Sequence, residues 1–303
     1  MKQVLDGLWL DIGLSRIWEI RTKQACFLQK IQRSLQTMSK RSVLITGVFG
    51  LVGSSIYRHL ITQPAKYEVY GMARRRHASI RVAIEETIEI PDSHFILNDL
   101  SDLESLEGAF KEIDTVVHMA ANPNTEAPWE SVLKNNIVGA YHVFEAAKRA
   151  GVRRVIYAST IQVSTGYALE VEPYKSIRMG NFDNVQESFK KLATDKPTWP
   201  VNFYAASKAM GETLASVYCT NSDLSIHCLR IGAVNSMDEK IEKLIPISCT
   251  KADIARLAEC CIQASDTVKF EIFYGMSNND YRWTDLENAK EKVGYVPQDK
   301  ISF

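Results

Sequence analysis

The chain has 303 residues, and its 36 Lys and Arg side chains balance 36 Asp and Glu side chains, giving a formal net charge of zero at pH 7. This balance argues against a general binder of nucleic acid or of anionic membranes. The length suits one large α/β domain, alone or with a smaller lobe. No run approaches the roughly 18 uninterrupted apolar residues of a membrane span.

Six cysteines lie at positions 26, 219, 228, 249, 260 and 261. Their spacing matches no metal-binding pattern, and the two adjacent cysteines do not suit an ordinary disulfide framework. We therefore expect a reducing compartment, the cytoplasm, and no metal site.

Residues 1–40 form an N-terminal extension that is more basic than the rest of the chain. They are compatible with an organelle-targeting segment, with a helix that packs on the domain or a partner, or with sequence upstream of a start at Met38. The acidic side chains of Asp6, Asp11 and Glu19 weaken the targeting interpretation. We favour the start at Met38, or disorder, and expect the extension to be dispensable.

The stretch Val43–Gly53 reads VLITGVFGLVG, an apolar run followed by three spaced glycines and a helix-compatible pattern. A strand, a glycine-rich turn and a helix, in this order, form the context of a dinucleotide-binding fingerprint. Gly47 would allow the tight turn, Gly50 would let the backbone approach a pyrophosphate, and Gly53 would let the helix pack on the strand. The helix N-terminus would supply N–H groups for the phosphates. Chance glycines in an ordinary turn are the alternative, which the downstream features disfavour.

The helix after this turn is predicted to end at Pro64, and a second strand is predicted over Tyr67–Met72. An acidic residue after this strand binds the ribose of NAD in such folds, whereas Arg accommodates the 2′-phosphate of NADP. Here Ala73 precedes three consecutive arginines, beginning with Arg74 and Arg75. A charge run is usually a solvated loop, but in this position it favours NADP over NAD.

Two further strands are predicted over His94–Leu97 and Thr115–Met119. Asp99 follows the first strand, where a carboxylate can accept a bond from the adenine amino group. The small residues Ala120 and Ala121 follow the second strand, where the backbone must come near a cofactor. The predicted cofactor contacts are Gly47, Phe49, Gly50, Leu51, Val52, Gly53, Arg74, Arg75, Asp99, Leu100, Met119, Ala120 and Ala121, together with Asn136, Tyr204 and Lys208.

Strands and helices continue to alternate after this point. We predict a helix over Glu130–Arg149, a strand over Val155–Ala158, a helix over Phe203–Cys219 and a strand over Leu224–Ile231. Residues 167–200 read as a long irregular stretch, and a loop of this length is more often a functional lid than a linker.

The alternation over residues 41–231 predicts an α/β domain with a doubly wound parallel sheet of the Rossmann type. Residues 232–303 are less regular and contain a helix over Lys251–Gln263, a strand over Lys269–Tyr274 and a helix over Thr284–Val293. We expect them to form a small substrate lobe over the carboxyl edge of the sheet.

Tyr204 and Lys208 lie four residues apart on a predicted helix, in YAASK, so their side chains share one helix face. A cation one turn away, together with the positive nicotinamide ring of a bound cofactor, favours the phenolate and lowers the pKa of a tyrosine, which makes Tyr204 a candidate general base. Thr160, preceded by Ser159, ends a predicted parallel strand, where ligands bind in such sheets. Its hydroxyl could hold the reacting oxygen.

These motifs together resemble the extended short-chain dehydrogenases/reductases, the NAD-dependent epimerase/dehydratase group. Within this group the chain is most similar to uronate dehydrogenases and related archaeal sugar-phosphate dehydrogenases. The resemblance covers nearly all of residues 42–297, and it implies hydride transfer from C1 of a cyclic sugar or sugar acid to NAD(P), giving a lactone. It is carried by TGVFGLVG, NDL (98–100), VVHMAA (116–121), EAPWESVLKNNIVGAYHVFEAA (126–147), YAST (157–160), YAASK (204–208), LRIGAV (229–234), YGMSNNDYRW and VGYVPQD.

Several positions depart from the uronate dehydrogenase pattern. Those enzymes carry Ser followed by Asn-His, where this chain has Thr160, Ile161 and Gln162. Their carboxylate-binding Arg falls in a stretch where this chain offers only Lys240 and Lys243. The resemblance therefore supports oxidoreductase chemistry better than it supports the identity of the substrate.

Four polar residues have both a functional and a structural interpretation. The family resemblance implies that Asn136 ties strand backbones near the active site, although a solvated helix residue is the simpler reading. Asn122 and Asn124 are candidate substrate contacts, with Ile161 and Gln162, or else parts of a solvated loop. His118 ends an apolar strand and is more simply a packed histidine than a catalytic group.

Three classes of function follow from this pattern. The first is a dehydrogenase acting on a small carbohydrate, and the second is a nucleotide-sugar epimerase or dehydratase with tightly bound NAD(P). The short region after the last predicted strand of the sheet argues against the second class. The third is a non-enzymatic NADP-binding protein, which the intact Thr160, Tyr204 and Lys208 disfavour. We expect no nucleic-acid or membrane partner and leave a homo-oligomer open.

Overall fold

Parallel strands form the centre of the molecule. The computed structural model describes residues 40–186, 188–236 and 240–303. The predictions for the N-terminal extension and for a start at Met38 lie outside these residues. Strands of the described chain are β1 (Arg41–Thr46), β2 (Tyr67–Ala73), β3 (Phe95–Leu97), β4 (Thr115–His118), β5 (Arg154–Thr160), β6 (Ser225–Ile231) and β7 (Phe270–Gly275).

The strand order is β3-β2-β1-β4-β5-β6-β7, and every neighbouring pair is parallel. This order reverses between β1 and β4, which is the topological switch point where ligands bind in doubly wound sheets. Thr46 pairs in register with His118, and His118 with Tyr157, so the carboxyl ends of β1, β4 and β5 lie side by side. The predicted Rossmann-type fold is confirmed.

Helices cover both faces of this sheet. They are α1 (Leu51–Ile61), α2 (Leu103–Ala109), α3 (Trp129–Val132), α4 (Gly139–Arg149), α5 (Thr165–Glu170), α6 (Tyr174–Met179), α7 (Phe203–Asn221), α8 (Lys251–Gln263) and α9 (Glu287–Val293). A π-helical segment, Leu133–Val138, joins α3 to α4. Short 3₁₀ turns occur at Ile84–Glu86, Asp92–His94, Ile161–Ser164, Phe182–Asn184 and Glu242–Ile247.

Alternate residues of the strands point to opposite faces and form two apolar cores. On one face Val43 and Ile45 of β1 pack in a cluster with Ile56 of α1 and Leu257 of α8. On the other face Leu44 packs in a cluster with residues of α2, α4 and α7. The strands are therefore buried on both sides, as parallel strands in α/β folds are.

The structure differs from the sequence-based expectation in two regions. The stretch 167–200 is not irregular throughout, because it contains the end of α5, all of α6 and a 3₁₀ turn. Residues 232–303 do not all stand over the sheet edge: β7 pairs with β6 within the sheet, and α8 packs on α1, where His59 Nε2 lies 2.6 Å from Glu259 Oε2. Residues 41–303 form one compact unit.

The close approach of α7 to β5 depends on a glycine. A Cβ atom at Gly211 would lie 2.1 Å from the hydroxyl oxygen of Tyr157, a fully buried residue of β5. Any side chain at this position would push the helix away from the strand, and α7 carries Tyr204 and Lys208. Gly211 therefore sets the distance between the helix and the strand end at Thr160.

We predict that Gly211→Ala lowers the free energy of unfolding by about 1–3 kcal/mol, because it overpacks a buried contact. Gly108→Ala is the matched control, since Gly108 lies in α2 and a Cβ there would meet no atom within 4 Å. The control should raise stability by about 0.5–1 kcal/mol through helix propensity. Urea unfolding of the three proteins measures both effects, and equal stability for Gly211→Ala and the unmodified chain would contradict the close approach.

Candidate active site

The turn between β1 and α1 has no room for side chains at two of its glycines. Gly47 has φ +66°, and a Cβ atom there would lie 2.8 Å from the Cα and N atoms of Ala120. A Cβ atom at Gly53 would lie 2.4 Å from the carbonyl oxygen of Gly47. Gly50 precedes α1 in an extended conformation and donates its N–H to Gly47 at 2.9 Å. The turn thus presents backbone and a helix N-terminus, the arrangement that binds phosphates.

This turn opens into a cavity of about 660 Å³ above the carboxyl ends of the strands. Every predicted cofactor contact except Asn136 lines it. These residues are Gly47, Phe49, Gly50, Leu51, Val52, Gly53, Arg74, Arg75, Asp99, Leu100, Met119, Ala120, Ala121, Tyr204 and Lys208. Thr160 and Gln162 line it as well, so the structure brings the predicted catalytic and cofactor residues, apart from Asn136, to one cavity.

The end of the cavity near β2 is lined by charged side chains. Arg74 Nη1 lies 3.7 Å from Asp99 Oδ2, and both side chains are largely exposed. Burial raises the pKa of Asp99, but hydrogen bonds from Ser101 and the charge of Arg74 outweigh this and lower it. Arg75 is exposed at the cavity. Arg76 instead lies over the ring of Phe95, and it does not line the cavity.

Lys208 is almost completely buried, with 3% of its surface exposed. Its Nζ atom donates a hydrogen bond to the carbonyl oxygen of Ala158 at 2.7 Å. Burial lowers the pKa of this ammonium group to about 7. Lys208 therefore fixes α7 against the end of β5, two residues before Thr160.

Tyr204 is half-buried and faces the same cavity. Burial raises the pKa of its phenol, while a hydrogen bond with Thr160 and the charge of Arg81 oppose this rise. The net direction is upward for the protein's own groups, and Lys208 is not among the neighbours that lower this pKa. The physical reason is that desolvation of the phenolate exceeds the stabilisation that these neighbours supply. The predicted contribution of a bound nicotinamide ring stays a prediction.

Asn136 lies in the π-helical segment and is buried. Its Oδ1 atom accepts the N–H of Asn122 at 2.8 Å, and its Nδ2 atom donates to the carbonyl oxygen of Asn122 and to Ser207 Oγ, both at 3.1 Å. Ser207 lies on α7. Asn136 therefore joins the loop after β4 to the helix that carries Tyr204, without entering the cavity. A π-helical segment of this kind often marks a functional site.

A buried polar network lies beneath Thr160. Ser159 Oγ donates to Glu212 Oε1 at 2.6 Å, and Arg230 makes two bonds of 2.9 Å to the carboxylate of Glu212. The Tyr274 hydroxyl bonds Arg230 at 3.3 Å and Ser164 at 2.9 Å. This network links β5, β6, β7 and α7 at their active-site ends. The sequence did not predict it, because a charged residue in an apolar strand does not reveal its partner.

His118 agrees with its simpler, structural interpretation. Its Nδ1 atom lies 2.8 Å from Thr46 Oγ1, the register neighbour on β1. Burial, with a smaller effect from Lys208, lowers its pKa to about 3, so the imidazole is neutral at physiological pH.

Three predicted substrate contacts lie outside the cavity lining. Asn122 donates through Nδ2 to Ser131 Oγ at 2.8 Å and accepts the N–H of Asn124 at 3.1 Å, so its side chain holds the loop. Asn124 is exposed, and Ile161 is 6% exposed within the apolar core. Gln162 does line the cavity, and its Oε1 atom accepts a bond from Asn202 Nδ2 at 3.0 Å.

The sequence analysis missed several residues of the cavity wall. Three of them belong to the β2–β3 connection, two to the π-helical segment and the rest to the segment after β6. They are His77, Ser79, Arg81, Lys134, Asn135, Gly232, Ala233 and Val234. The clustered cations after β2 were the available signal, but only the folded chain shows that the loop turns back over the cavity.

Among residues 40–186, 188–236 and 240–303, no group of three or more His, Cys, Asp or Glu side chains could hold a metal ion. Within the same ranges, no helix is long and apolar enough to cross a membrane.

Comparison with protein families agrees with this geometry. The model of the NAD dependent epimerase/dehydratase family matches residues 43–262. The chain belongs to this family. The predicted family and the prediction that the chain is an enzyme are therefore confirmed. The matched range includes the glycine turn, Thr160, Tyr204 and Lys208.

Curated relatives include sugar dehydrogenases. The chain is 32% identical over 263 residues to the NAD-dependent glucose-6-phosphate dehydrogenase of Haloferax volcanii. The matched region covers 85% of this chain and 93% of that protein. It is 31% identical to the L-arabinose 1-dehydrogenase (NAD(P)(+)) of the same organism, over 67% of this chain and 82% of that protein. A uronate dehydrogenase of Pseudomonas syringae is 28% identical over 66% of this chain and 65% of that protein.

Solved structures of similar proteins share the fold. A glucuronic acid dehydrogenase from Chromohalobacter salexigens is 26% identical and superposes with a TM-score of 0.69, covering 86% of each chain. A mutated uronate dehydrogenase is 28% identical, also with a TM-score of 0.69, over 86% of this chain and 83% of that chain.

We predict that Asn136→Ala lowers the free energy of unfolding by about 1–3 kcal/mol, because it removes the three hydrogen bonds that the buried Asn136 side chain makes with Asn122 and Ser207. Asn124→Ala is the matched control, since Asn124 is exposed on the same loop, where its Oδ1 atom accepts the exposed N–H of Glu126 at 3.0 Å. The control should lower stability by less than Asn136→Ala does, by at most about 1 kcal/mol. Denaturant unfolding of both variants and of the unmodified protein measures these effects. An equal effect of the two substitutions would contradict a structural role of Asn136.

Proposed function

We propose that this chain is a dehydrogenase that oxidises the C1 hydroxyl of a cyclic sugar or sugar acid to a lactone with NAD(P), with NADP favoured. The observation that carries the proposal is the convergence of Thr160, Tyr204 and Lys208 on the cavity into which the glycine turn opens. A phenol, a hydroxyl and a buried cation at a strand end suit proton removal from an alcohol.

The residues around the cavity fit a nicotinamide dinucleotide. Side chains are sterically excluded at Gly47 and Gly53, which leaves the backbone free to receive the diphosphate. Asp99 and the two exposed arginines, Arg74 and Arg75, would hold the adenosine end. Tyr204 and Lys208 would hold the nicotinamide ribose. When bound, the dinucleotide supplies the hydride acceptor and a positive charge beside the phenol.

The chain's own residues would move the proton. Tyr204 would accept it from the C1 hydroxyl as the C1–H bond breaks, and Thr160 would hold the same oxygen by a hydrogen bond. The Lys208 ammonium group, hydrogen-bonded to the carbonyl oxygen of Ala158, would keep a positive charge near the phenolate. Asn136 would hold α7 in place through Ser207. The positive charge of a bound cofactor opposes the raised pKa of Tyr204, so the base becomes effective when the cofactor is present.

Several relatives support a carbohydrate substrate. Among them are a glucose-6-phosphate dehydrogenase, an L-arabinose 1-dehydrogenase and uronate dehydrogenases. Ile161 and Gln162 stand where the uronate dehydrogenase pattern has Asn-His. Ile161 is buried outside the cavity lining, and Gln162 lines the cavity and bonds Asn202. We therefore propose the reaction and the class of substrate, and not one sugar.

A substrate panel tests the proposal directly. Aldoses, aldose phosphates and uronic acids are each incubated with NAD and with NADP, and the absorbance of the reduced cofactor is followed. The proposal expects net reduction of the cofactor with at least one sugar and release of a lactone. Isomerised or dehydrated nucleotide sugars without net cofactor reduction would assign the chain to the epimerase or dehydratase class instead.

The preference for NADP generates a second test. We predict that replacing Arg74 and Arg75 by Ala weakens NADP binding by about 1–3 kcal/mol, because charge-assisted phosphate bonds are lost, and changes NAD binding little. Arg178→Ala, an exposed arginine on α6, is the control for charge alone. Titration of protein fluorescence with each cofactor measures the affinities. Equal affinities for NAD and NADP in the unmodified protein would refute the preference.

The assignment of the base generates a third test. We predict that Tyr204→Phe cuts turnover by on the order of 10²–10⁴, the usual contribution of a positioned acid–base group, with cofactor binding nearly intact. Lys208→Met should impair both turnover and cofactor affinity, because the amine has two roles. The rate of the unmodified enzyme should rise with pH, since a raised phenol pKa leaves little phenolate at neutral pH. Near-normal turnover of Tyr204→Phe would exclude Tyr204 as the base.

A further inference from the structure

The connection between β2 and β3 folds back over the glycine turn. The N–H of Ser79 donates to the carbonyl oxygen of Phe49, within that turn, at 2.9 Å. The N–H of Val82 donates to the carbonyl oxygen of Ser79 at 2.9 Å, and Val82 is buried. Ser79 therefore bonds the loop directly to the phosphate-binding turn, and the bond between Val82 and Ser79 closes a local turn that contains the exposed Arg81.

Arg81 lines the cavity together with the glycine turn and Tyr204. Among the other cations of the wall, Arg74 pairs with Asp99, and Lys208 bonds the carbonyl oxygen of Ala158. The charge of Lys134 also acts on Asp99, and Arg75 is exposed beside Arg74 at the end of β2. Within the described chain, Arg81 makes no ion pair with a carboxylate. Its charge nonetheless reaches the phenol of Tyr204, whose pKa is raised by burial and lowered by the Thr160 hydrogen bond and by Arg81.

The cavity extends across the sheet from the carboxyl end of β2 to that of β5. Arg74 and Arg75 lie at the end of β2, where the adenosine ribose of a dinucleotide binds. Tyr204 lies at the opposite end. Arg81 extends from a loop that is bonded to the diphosphate-binding turn itself, and its charge acts toward Tyr204. A guanidinium group matches the geometry of phosphate oxygens and binds them through paired hydrogen bonds.

We propose that Arg81, on the loop bonded to the glycine turn, binds the diphosphate of the dinucleotide. The glycine turn then supplies backbone N–H groups to the diphosphate, and Arg81 supplies a counter-charge. The loop at residues 79–82 thereby contributes to cofactor affinity, although it follows β2 and carries no fingerprint motif. The inference depends on the use of NAD(P) and not on the proposed sugar substrate.

The test measures the binding of cofactor fragments by isothermal titration calorimetry, with no substrate present. ADP-ribose contains the diphosphate, whereas adenosine 2′-monophosphate occupies the adenosine end without it. Arg81→Ala should weaken ADP-ribose binding by roughly 10- to 100-fold, the range for a lost hydrogen bond to a charged group, and leave adenosine 2′-monophosphate binding unchanged. Arg81→Lys should give an intermediate loss, because it keeps the charge without the paired donors.

Arg178→Ala is the matched control, because it removes the same charge from an exposed position on α6. Its affinity for both fragments should equal that of the unmodified protein, and thermal unfolding should show that all the variants are folded. Unchanged ADP-ribose binding by Arg81→Ala would overturn the proposal. A higher KM for the sugar alone would then assign Arg81 to the substrate. Equal weakening of both fragments would also contradict a diphosphate contact.

Discussion

A buried ammonium group holds the active site together. Lys208 Nζ donates to the carbonyl oxygen of Ala158 at 2.7 Å, from a helix that Gly211 allows to lie against Tyr157. This bond places α7 at the end of β5, so that Tyr204 and Thr160 share one cavity. Burial lowers the pKa of Lys208 to about 7, so the interaction carries an electrostatic cost within the fold. A costly buried group at a strand end is typical of a functional site.

The cavity is matched to an anionic ligand. Its wall includes the basic residues Arg74, Arg75, Arg81, Lys134 and Lys208, and the acidic residue Asp99. The chain as a whole has a formal net charge of zero, so this concentration of cations is local. Together with the N-terminus of α1, these fixed positive groups could take the place of water around the diphosphate of a bound dinucleotide, as proposed above. The family assignment and the electrostatics of the cavity thus agree.

Patterns along the chain predicted those features that depend on neighbouring residues. Helix α8 begins and ends where its periodicity places it, and the glycine turn follows β1 as expected. Features that depend on tertiary contacts were missed or misplaced. Nothing local shows that Ile161 is buried, that Glu212 pairs with Arg230 or that Arg81 returns to the cavity. The pKa of Tyr204 was misjudged because helix spacing shows a nearby cation but not the loss of water around the phenol.

Isotope transfer from C1 tests the proposed reaction most directly. An aldose that is active in the panel is prepared with deuterium at C1 and incubated with the enzyme and the oxidised cofactor. Mass spectrometry of the reduced cofactor should then show the deuterium, with a lactone as the other product. Reduced cofactor without the label would contradict hydride transfer from C1. Full return of the label to a sugar product, with no net reduction of the cofactor, would contradict a dehydrogenase.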